Sequence, residues 1–249
     1  MRKYLNLLYN KEKRLYLDVY LPQSENFNVI VYFHGGGLEV GERNGENIVQ
    51  IAQDFVKEGY GFVSADYSLY PSAKFPSYIL DCALAIKFVK ENLKEWGARE
   101  IIVAGQSAGA WLSLMLCLNN EYLNSVSLSP QDICAWIIDS AQTTSHYNVL
   151  KYEQKEDVLA QRINEFAPLY YVNKNTSFSK MLLVFYQEDM PCRYEQNMLF
   201  YKSILAYNKN ANITYKVLSG GHCEGSSKRD STGNYPFVEV ALNWLKTNL

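Results

Sequence analysis

Chemistry in this chain can start at the serine of Gly105-Gln106-Ser107-Ala108-Gly109. A serine hydroxyl becomes a useful nucleophile only when a base takes its proton and a third group orients that base. The pentapeptide has the G-x-S-x-G form, in which a sharp strand-to-helix corner lifts the hydroxyl clear of the backbone. Such a corner predicts a strained backbone at Ser107, with Gly105 and Gly109 leaving room for strand and helix to pass closely. Three histidines are available as base. His222 follows the apolar run Ile213 to Leu218, His34 opens a glycine run, and His146 sits in the polar segment Thr143 to Asn148. In this kind of corner the chain order is nucleophile, acid, base. That order selects His222 as base and Asp189, which follows the apolar run Met181 to Tyr186, as the acid. Glu188 and Glu195 are neighbouring carboxylates, and Asp139, at the end of an earlier apolar run, is the structural rival.

A second constellation is His34-Gly35-Gly36-Gly37. Glycines let backbone N–H groups approach a developing negative charge, and the N–H of Ala108, the residue after the nucleophile, completes such an oxyanion hole. His34 then reads as a residue that braces the loop.

These groups need a scaffold that brings them to one edge. Tyr4 to Leu8 and Leu15 to Leu21 read as strands around the polar turn Asn10 to Lys13. Asn28 to Phe33, Gly61 to Ala65, Ile101 to Ala104, Ala135 to Ala141, Met181 to Tyr186 and Ile213 to Leu218 are further strands. Helical spacing marks Asn47 to Glu58, Pro76 to about Leu93, Ala108 to Leu118, Arg193 to Tyr207 and Pro236 to Leu249. Apolar strands alternating with helices predict a largely parallel sheet covered on both faces. The excursion Gln142 to Lys180 is expected to act as a short lid, with a helical stretch near Val158 to Phe166. The chain otherwise reads as one domain over residues 1–249.

The chain has 249 residues, 48% of them hydrophobic, and a formal charge of −2 from 24 basic and 26 acidic side chains. No basic stripe points to nucleic acid, and no stretch approaches the roughly 18 apolar residues of a membrane span. Neither nucleic acid nor a membrane is therefore expected as a partner. Five scattered cysteines without a C-x-x-C pair suit reduced thiols, and a cytoplasmic location is the expectation. No zinc pattern, phosphate loop or dinucleotide fingerprint is present, so neither metal nor cofactor is expected.

Taken together, LDVYLP, FHGGG with Gly41, DYSLYPSAKFPSYILDCALAIKFV, GQSAGAWL, FAPLYYV, the Asp189 loop and GGHCEGS resemble the α/β-hydrolases of the hormone-sensitive-lipase and carboxylesterase kind. The resemblance is to their small branch that includes feruloyl and acetyl-xylan esterases, and it runs from about Leu15 to the C-terminus. It implies an α/β-hydrolase fold with a mostly parallel eight-stranded sheet. It further implies Ser107 as nucleophile, Asp189 as acid, His222 as base, and Gly36, Gly37 and Ala108 as oxyanion donors. Ser68 and Leu38 depart from the Arg and Trp common at those places, which alters the pocket wall more than the machinery. Leu38, Trp111, Tyr147, Leu169, Tyr170 and Met190 are the expected substrate-binding residues.

The expected activity is a serine esterase acting on short-chain or carbohydrate-linked small-molecule esters. Amide chemistry on the same triad, by an arylformamidase or small peptidase, is the second reading. A ligand-binding hydrolase homologue without catalysis is the third, and retention of Ser107, Asp189 and His222 together argues against it.

Overall fold

The computed structural model describes residues 1–249. Eight strands form one sheet: β1 (Arg2–Asn10), β2 (Leu15–Leu21), β3 (Phe27–Phe33), β4 (Gly61–Ala65), β5 (Ala98–Gln106), β6 (Ile133–Asp139), β7 (Met181–Glu188) and β8 (Ile213–Gly221). Their spatial order is β1-β2-β4-β3-β5-β6-β7-β8. The first two pairings, β1 with β2 and β2 with β4, are antiparallel, and every later pairing is parallel. Strands buried on both faces read as continuous apolar runs, and β3 and β4 are buried at every residue. The sheet is the mostly parallel, eight-stranded sheet that the sequence predicts.

Five principal helices cover it: α1 (Glu46–Lys57), α2 (Ser77–Trp96), α3 (Ala108–Leu118), α4 (Arg193–Tyr207) and α5 (Pro236–Asn248). On one face, Ile48, Ile51 and Phe55 of α1 and Phe237, Ala241 and Leu245 of α5 pack on Ile30, Ile102, Ile137 and Val184. On the other face α2, α3 and α4 pack on Val31, Val103, Ile138 and Leu183. Alternate residues along each strand supply the two cores, as the two-residue period of a strand requires. Helix α3 is buried at every residue from Ala108 to Cys117, which explains why its sequence is apolar all round.

This topology sends several strand ends to one edge. β3 hands over to His34, β5 to Ser107, β6 to Ser140, β7 to Asp189 and β8 to His222. The edge beyond the carboxyl ends of the strands is where open α/β sheets bind ligands.

The excursion 142–180 differs from the sequence expectation. No helix forms over Val158 to Phe166; that stretch consists of turns and irregular backbone. Val158, Leu159 and Ile163 are exposed, so there is no packed face to stabilise a helix this short. Side chains compete for the backbone instead: Asp157 Oδ1 accepts from Leu159 N (2.9 Å) and Asn164 Oδ1 from Phe166 N (3.1 Å). Helical turns appear earlier, at Tyr147–Val149 and Leu150–Gln154, and later, at Pro168–Tyr171. The polar residues Thr143, Thr144 and Ser145 are buried, with Thr143 held to Gln196 through N–H (3.2 Å) and Oγ1 (2.9 Å). Glu153 accepts hydrogen bonds from Tyr70 Oη (2.8 Å) and Phe75 N (2.9 Å), and Lys151 pairs with Glu39 at 2.7 Å. These contacts strap the excursion across two neighbouring loops.

Candidate active site

Ser107 occupies φ 53°, ψ −112°, a conformation that costs a non-glycine residue about 1–3 kcal/mol. The corner is fixed from both sides: Ser107 N–H donates to Asp139 O (2.8 Å), and Ser107 O accepts from Trp111 N (3.0 Å). The flanking glycines are required by contact. A Cβ at Gly105 would fall 2.2 Å from Gly109 O, and one at Gly109 would fall 2.0 Å from Phe33 O.

From this apex the hydrogen bonds run outward. Ser107 Oγ lies 2.8 Å from His222 Nε2, and His222 Nδ1 lies 2.5 Å from Asp189 Oδ1. His222 is delivered by the end of β8, where Gly221 N–H donates to Glu224 Oε2 (2.9 Å) and Cys223 takes a left-handed conformation. The Asp189 side chain is 1% exposed, and Met190 N–H also donates to its Oδ1 (2.6 Å). Burial works to raise the Asp189 carboxyl, but bonds from His222, Ser140 and Met190 outweigh it and hold it below its ordinary value. A carboxylate kept ionised there stabilises an imidazolium at His222.

The rival carboxylates lie elsewhere. Asp139 is fully buried, accepting from Tyr186 Oη (3.0 Å) and Ser226 Oγ (2.5 Å), and is not hydrogen-bonded to His222, whose ring nitrogens face Ser107, Ser140 and Asp189. Burial pushes its carboxyl up to about 7, against the pull of those two hydroxyls. Glu188 and Glu195 are exposed. His34 stacks on Tyr67 (4.3 Å between centroids), Tyr67 Oη donates to His34 O (2.8 Å), and the His34 ring bonds Gly35 O (2.7 Å). These contacts brace the glycine loop. His146 is buried against Tyr147 and Trp111, and burial, with the Arg193 charge, holds it well below its ordinary value.

The glycine loop lies beside the corner, since a Cβ at Gly35 would be 3.3 Å from Ser107 Cβ. Gly36 (φ 105°) and Gly37 (φ 65°) have backbone conformations that L side chains avoid, and neither N–H donates to a protein acceptor. Ala108 N–H, at the first position of α3, has no partner within the helix. The three N–H groups singled out as oxyanion donors are thus placed with Ser107 at one sheet edge.

The expected pocket residues divide. Leu38 and Trp111 have no exposed surface and belong to the core, so they present nothing to a substrate. Leu38 is drawn in because the loop after Gly37 turns inward, its O accepting from Tyr70 N (2.8 Å). Trp111 is anchored by its indole N–H to Phe166 O (3.2 Å). Leu169 is nearly buried, Tyr170 and Met190 are exposed, and Tyr147 is half-buried with its hydroxyl against Gly37.

Two residues of the site escaped the sequence reading. Ser140, at φ 57°, is fully buried; its hydroxyl donates to Asp189 Oδ2 and lies 2.9 Å from His222 Nδ1. Arg193, the first residue of α4, is buried, donates to Ser140 O (3.3 Å) and leaves its Nε without a partner. The usable signal for Ser140 was its place immediately after β6, the strand between those carrying Ser107 and Asp189. Cys192, which precedes Arg193, is exposed in a left-handed conformation, three residues beyond the acid. No cluster of three or more His, Cys, Asp or Glu side chains is placed to hold a metal, and no helix is long and apolar enough to cross a membrane.

Comparison with known proteins places the fold and the family. Carboxylesterase NlhH of Mycobacterium tuberculosis is 36% identical over 102 residues, 39% of this chain and 32% of the relative. The matched stretch thus spans about a third of that protein's length. Among solved structures, esterase 2 of Thermogutta terrifontis superposes with a TM-score of 0.79 at 18% identity, covering 99% of this chain and 93% of the other. A truncated carbohydrate esterase from gut microbiota gives 0.75 at 18% identity, covering 100% and 96%. The fold is therefore that of the α/β-hydrolase esterases. A family model described as BD-FAE matches residues 17–204, well over half of the sequence, and the chain belongs to the BD-FAE family.

Proposed function

We propose that the chain is a serine carboxylic-ester hydrolase for short-chain or carbohydrate-linked esters, working through an acyl-enzyme on Ser107. The observation that carries this reading is the unbroken chain Ser107 Oγ, His222 Nε2, His222 Nδ1, Asp189 Oδ1, with links of 2.8 and 2.5 Å. His222 Nε2 takes the Ser107 proton as Oγ attacks the ester carbonyl. Gly36, Gly37 and Ala108 N–H groups receive the oxyanion, each such donor being worth about 2.7–4 kcal/mol of barrier. Collapse of the tetrahedral species breaks the C–O bond to the alcohol, which leaves with the proton held on His222. Water then attacks the acyl-enzyme by the same route in reverse, returning Ser107 and the acid. NlhH and the two structural neighbours are each named as esterases, which supports the choice of ester over amide.

The test is a panel of 4-nitrophenyl esters of increasing acyl length, acetylated sugars, methyl ferulate and N-formylkynurenine. Activity is expected to peak at about C2 to C4 and fall by C8, because a methylene gains its roughly 0.8 kcal/mol only where the pocket buries it. The core positions of Leu38 and Trp111 leave no apolar trough at those residues. Hydrolysis of N-formylkynurenine alone would move the assignment to amide chemistry. Ser107→Ala is expected to remove all activity while keeping the folded circular-dichroism spectrum; full activity in that variant would end the covalent mechanism.

A further inference from the structure

One polar group above the glycine loop has no partner in the protein. A Cβ built at Gly37 would fall 2.1 Å from Tyr147 Oη. Backbone N and Cβ of one residue are about 2.5 Å apart, so the hydroxyl lies within about 4.6 Å of Gly37 N. Its position is set from three directions. Asn148 Nδ2 donates to Gly37 O at 2.6 Å, which ties the excursion to the glycine loop in this register. Gln142 Oε1 accepts from Tyr147 N–H at 3.2 Å. The Tyr147 ring stacks on His146 (4.4 Å, 27°), which packs on Trp111, one helical turn beyond Ser107. Tyr147 therefore crosses the end of the sheet that carries the nucleophile. The hydroxyl is not sealed in the protein but opens onto the site, so its proton is free to meet the oxygen of a bound carbonyl that displaces water there.

We infer that Tyr147 is a catalytic residue, its hydroxyl donating a hydrogen bond to the oxyanion beside Gly37 N–H. The inference rests on the ester-hydrolase reading. Burial raises the phenol above its ordinary value, the nearby Arg193 charge working the other way, so it remains a protonated donor at neutral pH. A donor that meets charge only as it develops acts on kcat more than on KM.

Tyr147→Phe keeps the ring, its stack on His146 and the anchoring of Asn148, and removes only the hydroxyl. Steady-state kinetics with 4-nitrophenyl acetate should show kcat reduced at least tenfold with KM changed by less than about threefold. The rate at which diethyl 4-nitrophenyl phosphate phosphorylates Ser107 should fall in parallel, since the phosphoryl oxygen occupies the same hole. Tyr147→Leu separates packing from hydrogen bonding. If Phe is within twofold of wild type in both assays while Leu is impaired, Tyr147 is a packing residue and the inference is overturned. A wild-type chain that cleaves no ester but is phosphorylated, with slowing in Phe, would retain the role of Tyr147 and overturn the ester reading. A wild type inert to both reagents would overturn both.

Discussion

His222 Nδ1 faces two oxygens, Asp189 Oδ1 at 2.5 Å and Ser140 Oγ at 2.9 Å, while the Ser140 proton is committed to Asp189 Oδ2. The imidazole N–H is thus shared between a carboxylate and a hydroxyl that are themselves bonded. Ser140 is a positioning residue in this arrangement: it holds Asp189 and offers His222 a second acceptor. Ser140→Ala leaves one carboxylate oxygen unpaired in a buried place. A hydrogen bond to a charged group is worth about 1.5–3 kcal/mol, so kcat should fall roughly 10–100-fold with little change in KM. An unchanged kcat would show that Met190 N–H and His222 suffice to hold the acid.

The two aspartates that the sequence offered as acid should separate by orders of magnitude. Asp189→Asn turns an acceptor for the imidazole N–H into an amide and favours the wrong tautomer, at a cost of up to about 10⁴ in kcat. Asp139→Asn leaves His222 untouched, and ester turnover at pH 7 should stay within about tenfold of wild type. The reverse ranking in steady-state assays would mean that the acid comes from β6.

Asp139 should instead reveal itself in stability. Its carboxyl titrates near 7 in the fold and near 3.9 when unfolded, so between those values the native state binds more protons. Its contribution is therefore most favourable below about pH 4 and is lost as pH rises to about 7, beyond which the penalty is constant. Neutral Asn can donate to Ser226 Oγ and accept from Tyr186, so Asp139→Asn should gain up to about 4 kcal/mol over wild type at pH 8 and far less at pH 4.5. Urea unfolding at the two pH values measures the difference; equal gains at both would show that Asp139 is ionised throughout.

The sheet and the apex were legible because their signals are local. Ile101 to Gly109 carries strand, turn and helix in one stretch, and FHGGG marks its loop by composition alone. Val158 to Phe166 misled because periodicity records an apolar face without recording whether anything covers it. Leu38 and Trp111 were misplaced for the same reason: adjacency to Gly37 or Ser107 along the chain does not say which way a side chain turns. Ser140 and Arg193 carry no motif at all. Their roles arise only when β6 is inserted between β5 and β7, a fact of strand order that no stretch of the sequence holds.

The exposed thiol at Cys192 makes the acid loop observable without altering it. Of five free cysteines, Cys82, Cys117 and Cys223 are buried and Cys134 is half-buried, leaving Cys192 the one in open solvent. A thiol-directed fluorophore used on the unmutated chain should therefore attach there, at the start of α4 and beside the buried guanidinium of Arg193. A change in the emission of such a label on adding an ester would tie the acid loop to acylation, and an unchanged emission would show that the loop stays fixed through turnover.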